Sequence, residues 1–349
     1  MPDLIDVHAH DYPETYLAAC RRRDSGMESY VRDDGRLVIL QDKAVALAAP
    51  QPMPTIDERL AAMDEAGVGI QVLSISAPNV YRFPRNWRAS LTQDLNDELV
   101  SMAPASDFRL RTLLSLPLPD VDAALAELER SISQPGVAGV MLTTTIDRRT
   151  LDDEAFVPLL EELSRRECLV LVHPTTACCT EGIRDYALAL GIDYLAETTL
   201  CIARLVYSGV MSSYPGIRWV FAHLGGTLPF LLHRLDNYYQ QFPECRAKID
   251  KPPSEILRRI YLDTVSTHVP ALRCALETFG AEQLLFGTDY PHVPGGMTRL
   301  REALAAALGD ESELELIGRR SPERLLRRRD EGAESPVRGT GPLSEGDPG

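Results

Sequence analysis

Three features of this chain predict an α/β protein built as a (β/α)8 barrel of the TIM type. Short apolar runs alternate with amphipathic helical stretches along most of its 349 residues. The runs are apolar throughout, the signature of parallel strands covered by helices on both faces. Several of them end on a histidine or aspartate, the end at which this architecture builds its sites.

The first strand is Ile5-Asp6-Val7-His8-Ala9-His10. Side chains on a strand alternate faces, so His8 and His10 are expected on one face and Val7 and Ala9 on the other. Residues 11–55 form a long insertion. Within it, 28–32 and 36–40 flank Asp33-Asp34-Gly35, a hairpin signal. An insertion of this length after such a strand is expected to make a lid or pocket wall. A helix follows over 56–66, with Thr55 as N-cap and Glu58 completing a capping box.

The alternation then becomes regular. Strands are expected at 69–76, 108–116, 137–142, 169–173, 219–223, 261–265 and 284–287. Helices are expected at 87–102, 121–132, 154–166, 197–211, 228–241, 270–278 and 298–308, with 174–196 loop-like apart from room for one short helix. A last helix over 311–328 is expected to seal one face, so residues 1–328 form a single barrel. Residues 329–349 are rich in Gly, Pro, Ser and acids, carry no aromatic residue, and are expected to be a disordered tail.

Charge and composition narrow the function. Thirty-six basic against 51 acidic residues give a net charge of −15, which argues against a nucleic-acid partner, because phosphate binding needs a basic face. No stretch approaches the ~18 apolar residues of a membrane span, and the first strand begins too early to leave room for a signal peptide. The seven cysteines include no Cys-x-x-Cys pair, and the adjacent Cys178 and Cys179 read as loop thiols. The expectation is a cytoplasmic protein with reduced thiols.

The chemistry collects at the strand ends. His8 and His10 close the first strand, His173 the fifth, His223 the sixth and Asp289 the eighth. Five ionisable groups on apolar strands converging at one mouth point to a metal site. The fourth strand, Gly139-Val140-Met141-Leu142-Thr143-Thr144, offers neither the lysine nor the acid that bridges two metals in this architecture. One divalent ion is therefore expected, Zn2+ or alternatively Mn2+, held by His8, His10, His173 and Asp289. Room remains for a water or a chelating substrate. His223 is then free to act as acid, base or hydrogen-bond donor.

The order of these groups resembles the amidohydrolase superfamily, in particular its branch of aminocarboxymuconate-semialdehyde and salicylate-type decarboxylases. The pieces that match are Ile5–His10, the run from Gln71 to Pro78, His173-Pro174 and Phe286–His292. The most specific is His223-Leu224-Gly225-Gly226-Thr227-Leu228-Pro229-Phe230 running on to His233-Arg234. The resemblance covers residues 4 to about 326. It implies His8, His10, His173 and Asp289 as metal residues and His223 as the catalytic histidine. It also implies that Arg234 reaches a substrate carboxylate across a homodimer interface. A second substrate-binding cation has no clear counterpart; Lys43 is the nearest candidate in the insertion, and Arg59 stands on the next helix.

The function expected is removal of carbon dioxide from an aromatic or unsaturated carboxylic acid without a redox cofactor. The ion either activates a water or chelates the substrate, and Asp289 or His223 delivers the proton. The alternative on the same barrel is a metal-dependent hydrolase or hydratase of a lactone, cyclic enone or β-diketone. A metal-binding scaffold without turnover would not need His223. His292 is expected to orient Asp289. His233 and His268 read as packing or loop residues, and Arg21–Arg23 and Arg327–Arg329 as solvated faces.

Overall fold

The computed structural model describes residues 3–175, 181–293 and 295–327; Cys178, Cys179, Arg328, Arg329 and the tail over 329–349 lie outside them. In chain order the first elements are β1 (Leu4–His10), α1 (Glu14–Arg21), β2 (Glu28–Val31), β3 (Leu37–Gln41), β4 (Ala44–Ala49) and α2 (Ile56–Ala66). The barrel continues through β5 (Val68–Ser74), α3 (Arg85–Ala105), β6 (Leu110–Leu114), α4 (Val121–Ser131) and β7 (Val137–Thr143). A small ribbon, β8 (Thr145–Ile146) and β9 (Arg149–Thr150), precedes α5 (Val157–Arg165), β10 (Leu169–His173), α6 (Tyr194–Tyr207) and α7 (Val210–Ser213). Then come β11 (Arg218–Phe221), α8 (Leu228–Gln241), α9 (Pro253–Ile256), β12 (Tyr261–Asp263), α10 (Val269–Phe279) and β13 (Leu284–Leu285). The last helices are α11 (Gly296–Ala307), α12 (Glu311–Glu315) and α13 (Ser321–Leu326).

Eight strands pair in parallel in the order β1-β5-β6-β7-β10-β11-β12-β13. The ring closes through the backbone beyond β13: Val7 N donates to Phe286 O at 3.0 Å, Thr288 N to His8 O at 3.1 Å and His10 N to Tyr290 O at 2.7 Å. This is the expected (β/α)8 barrel. One residue from most strands fills its interior, among them Val7, Val72, Leu113, Met141, Leu171 and Val220, and Leu325 of α13 packs onto the same cluster. The capping box on α2 forms as expected, with Thr55 Oγ1 accepting from Glu58 N and Glu58 accepting from Thr55 N.

Several boundaries differ from the sequence reading for local reasons. The register of β1 against β5 shifts between Asp6 and Ala9. Ile5 and Val7, two residues apart, share the barrel interior, and a bulge there breaks strict alternation, so His8 need not take the opposite face from Val7. The insertion holds a further helix, α1, and its hairpin gains a third strand, β4, making an antiparallel meander in the order β2-β3-β4. The alanine-rich run Ala44–Ala49 gave no β signal because alanine is a poor strand former. α6 begins three residues earlier than expected and stops at Ser208, where Gly209 takes φ 81°. The last helix is broken by a π-helical turn at Leu316–Arg320.

Candidate metal centre

His8 and His10 reach the mouth from the end of β1, and His173 from the end of β10. Asp289 lies four residues past β13. One ligand atom from each of these four residues lies within 4.8 Å of the others. The three imidazoles are buried, and the Asp289 side chain is nearly so. Asp289 holds φ 53°, a left-handed backbone unusual outside glycine. Its amide donates to His8 O at 2.7 Å, which locks the carboxylate over the first strand. Gly287 lets that strand pass: a Cβ there would stand 2.9 Å from the Cβ of Asp263 and 3.2 Å from that of His8.

Each imidazole is fixed through Nδ1. His8 Nδ1 pairs with Asp263 Oδ2 at 2.6 Å, His10 Nδ1 with Ser74 O at 3.2 Å, and His173 Nδ1 with Pro174 O at 2.8 Å. With Nδ1 donating, every Nε2 carries a lone pair. His8 Nε2 and His10 Nε2 then face each other at 2.9 Å, and Asp289 Oδ1 stands 3.0 Å from His10 Nε2 and 3.5 Å from His8 Nε2. Asp289 Oδ1 is buried and accepts no well-formed hydrogen bond. Converging lone pairs beside an unsatisfied carboxylate oxygen repel one another unless a cation lies between them. The donor set therefore fits one divalent ion, with carboxylate and carbonyl partners behind the imidazoles as metal sites require.

The electrostatics point the same way. Burial holds the His10 imidazole below its usual range, and burial plus the neighbouring imidazoles hold His173 well below it. Burial also pulls His8 down, but Asp263 outweighs it and raises the net value. Burial pushes Asp289 up, yet His10, His223 and His8 hold it far below the carboxylate range. Neutral His10 and His173 and an ionised Asp289 are the protonation states a metal ion needs, whereas His8, held up by Asp263, must release a proton to join them.

His223 stands just outside the cluster. Its Nε2 is 3.5 Å from Asp289 Oδ2, its ring is 5.3 Å from that of His8, and its Nδ1 is buried without a partner. The expected strand stops at Phe221 because His223 and Leu224 adopt φ 54° and 57°. His292 donates its amide to Asp289 O at 2.8 Å, and its Nε2 meets Tyr12 Oη at 2.6 Å. Burial lowers its imidazole to about 4.

Over this cluster opens a cavity of about 530 Å³, lined by His173, His223, Asp289 and His292 below and by the β2–β4 meander above. Residues of the insertion thus line this cavity, and Tyr194 Oη, donating to Ala46 O at 2.8 Å, ties the insertion to the barrel. The expected cations sit elsewhere. Lys43 is exposed in the turn between β3 and β4 and does not line the cavity. Arg59 is fully buried behind β1, donating to His10 O, Asp11 Oδ2 and Gln71 Oε1. It braces the ligand strand and does not line the cavity. Arg234 is exposed on α8, its guanidinium 4.8 Å from the Tyr238 ring, and lies outside its own chain's cavity. The cavity's arginines are Arg32 and Arg36.

The sequence reading passed over Asp263, Arg36 and Asp6. Asp263 was findable, being a carboxylate ending the apolar seventh strand, like the ligands themselves. Asp6 accepts from His8 N, Thr288 N, Thr288 Oγ1 and Gln71 Nε2, and burial raises its carboxyl to about 6.

A family profile described as Amidohydrolase matches residues 5–328. The chain is 28% identical over 239 residues to 2-amino-3-carboxymuconate-6-semialdehyde decarboxylase of Dictyostelium discoideum, covering 67% of this chain and 66% of that protein. It is 28% identical over 295 residues to 6-methylsalicylic acid decarboxylase of Penicillium expansum, covering 83% and 85%. In fold it is similar, at a TM-score of 0.76 and 20% identity over 93% of this chain and 97% of that one, to a dihydroxybenzoic acid decarboxylase of a Polaromonas species. That protein was solved with bound manganese and the inhibitor 2-nitroresorcinol.

Proposed function

The chain belongs to the amidohydrolase family, and from that premise we propose that it is a metal-dependent, non-oxidative decarboxylase of aromatic or unsaturated carboxylic acids. The observation that carries this reading is the single-ion donor set at the floor of a ring-sized cavity, with His223 beside it. His8, His10, His173 and Asp289 hold the ion, zinc or manganese. When bound, it supplies positive charge that draws in a carboxylate and a neighbouring hydroxyl. Within the reaction the bond from the ring carbon to the carboxylate breaks, its electron pair stays on that carbon, carbon dioxide leaves, and one proton takes its place. The His223–Asp289 pair, with Nε2 and Oδ2 3.5 Å apart, is placed to deliver that proton.

The protein is further proposed to work as a homodimer in the cytoplasm. Phe230, Arg234, Tyr238 and Phe242 recur every fourth residue along α8 and just past it, and Phe230 is 81% exposed. α8 fully buries only Leu228, so this stripe suits a second copy, with Arg234 offered to the neighbour's site. Among the described residues, Cys20, Cys201, Cys245 and Cys274 are free thiols, in keeping with a reducing compartment. No helix among the described residues is long and apolar enough to cross a membrane.

The test is incubation of the metal-loaded protein with a panel of hydroxybenzoates in deuterated water. Decarboxylation releases carbon dioxide and leaves deuterium on the vacated carbon. Incorporation of solvent oxygen without carbon dioxide would replace this reading with a hydrolase.

A further inference from the structure

A second cavity, of about 710 Å³, opens at the end of the barrel opposite the metal centre, where β7, β10 and β11 begin. Arg165, Arg166, Arg218, Arg324 and Arg327 line it, and the only carboxylate among the lining residues is that of Glu167. In a chain with a net charge of −15 this is a local reversal of sign. Arg327 opens a run that reads from the sequence as a solvated face, yet it stands at this cavity.

Three elements supply the guanidiniums. Arg165 and Arg166 end α5, Arg218 opens β11, and Arg324 and Arg327 belong to α13 and its C-cap. Arg218 donates from Nε to Glu167 O at 2.7 Å and from Nη1 to the carbonyl oxygens of Leu325 and Arg327. It thereby holds α13 against β11, beside the point where Leu325 packs onto the barrel interior. Arg165 and Arg166 share Glu162, and Arg166 also meets Glu129. Arg324 and Arg327 are exposed, and no ion pair joins either to a carboxylate among the described residues. Three carboxylates, Glu129, Glu162 and Glu167, thus stand against five guanidiniums, which leaves two positive charges in excess.

Like charges gathered at one cavity repel one another, and an anion placed among them removes that cost. The planar fork of a guanidinium matches phosphate oxygens two at a time. A carboxylate presents its oxygens on one centre, whereas a diphosphate presents them on two and carries multiple negative charge near neutral pH. It can therefore meet α5 and α13 together. The volume falls in the range of organic ligands, and Ile132 and Pro215 add apolar wall for a carrier. The negative field of the whole chain disfavours a long polyanion, so a small one fits best.

We propose that this cavity binds a diphosphate group, free or carried on a small organic molecule, between the end of α5 and α13. Bound there, the anion links the last helix to the barrel and stabilises the fold. The site is independent of the reaction at the metal centre.

The experiment is calorimetric titration of the manganese-loaded full chain with pyrophosphate, adenosine diphosphate and sulfate at low ionic strength, beside thermal unfolding with each. Pyrophosphate or adenosine diphosphate should bind more tightly than sulfate and raise Tm. A tighter adenosine diphosphate makes an organic carrier the source of the group, and equal affinities make it the diphosphate itself. Arg324→Gln combined with Arg327→Gln should weaken binding about ten- to a hundredfold, the worth of one or two charge-assisted contacts. Arg258→Gln combined with Arg259→Gln removes the same charge from exposed residues just before β12, outside the cavity. That control should leave affinity within about threefold, because distant exposed charges are screened. Arg165→Gln, on the opposite element, should also weaken binding and keeps the test open should α13 not tolerate its two substitutions. Absence of binding at millimolar pyrophosphate overturns the proposal. Binding that survives the cavity substitutions also overturns it and places the anion on the metal ion instead.

Discussion

Arg59 Nη2 lies 3.0 Å from the carbonyl oxygen of His10, on the side of β1 away from the cavity. The same nitrogen donates to Asp11 Oδ2 at 2.6 Å, and Nη1 donates to Gln71 Oε1 at 2.8 Å. Gln71 passes the chain on to Asp6, which collects the amides of His8 and Thr288. One buried polar network thus holds the backbone on which His8, His10 and Asp289 stand. Each residue of the network makes at least one of these bonds, although Arg59 Nε is buried without a partner.

Arg59→Lys should therefore weaken metal rather than substrate. Lysine keeps the charge for Asp11 but lacks the planar fork that spans Gln71 and the His10 carbonyl. Metal affinity, measured by competition with a chelator, should fall about tenfold, within the range set for groups behind a ligand, while KM at saturating metal stays unchanged. A raised KM with metal affinity intact would return Arg59 to the substrate.

His223→Asn should retain one ion per chain, because His223 stands outside the four-residue donor set. Turnover should fall about 10²–10⁴-fold, as for other positioned proton-transfer groups. Elemental analysis beside single-turnover rates checks both halves. Loss of the ion together with activity would make His223 a ligand.

The barrel, the convergence of the four donors and the hairpin of the insertion were legible because each rests on a local pattern: apolar runs, histidines at strand ends, a turn signal. What escaped was set by three-dimensional context. The bulge that breaks the alternation between Val7 and His8 depends on pairing with β5. Arg59 looked like a substrate group from its charge, yet it is answered by residues near it in space and 12 to 49 positions away. Arg36 sits only seven residues from Lys43, but the meander sends one into the cavity and the other to an exposed turn. Sequence spacing carries no sign of that difference.

Stability should depend on pH through Glu197 on α6. Burial, with Asp193 adding to it, raises this carboxyl to about 7 from 4.5. Between those values the folded protein binds the extra proton and the unfolded chain does not, so this contribution to stability declines as pH rises from about 4.5 and levels off above about 7. Glu197→Gln should then raise Tm at pH 8, by an equivalent of roughly 2 kcal/mol, and change it little at pH 4.5. Equal effects at both pH values would show that packing, not ionisation, sets the cost.

Arg234 offers the sharpest check on assembly. Its guanidinium stacks on Tyr238 and hydrogen-bonds the Tyr238 hydroxyl, on the outer face of α8. A surface role would leave activity untouched by Arg234→Ala, since exposed contacts of this kind contribute little. A role in the neighbour's cavity makes Arg234→Ala raise KM. It also makes the variant complement a His8→Ala, His10→Ala protein, because a mixed dimer holds one site with intact ligands and an arginine donated from the other chain. Mixing the two proteins after dissociation, at substrate well below the raised KM of Arg234→Ala, should recover up to about a quarter of wild-type activity, one competent site in half of the randomly reassembled dimers. A monomer with full activity, or mixtures that stay inactive although dimers re-form, would confine Arg234 to the surface.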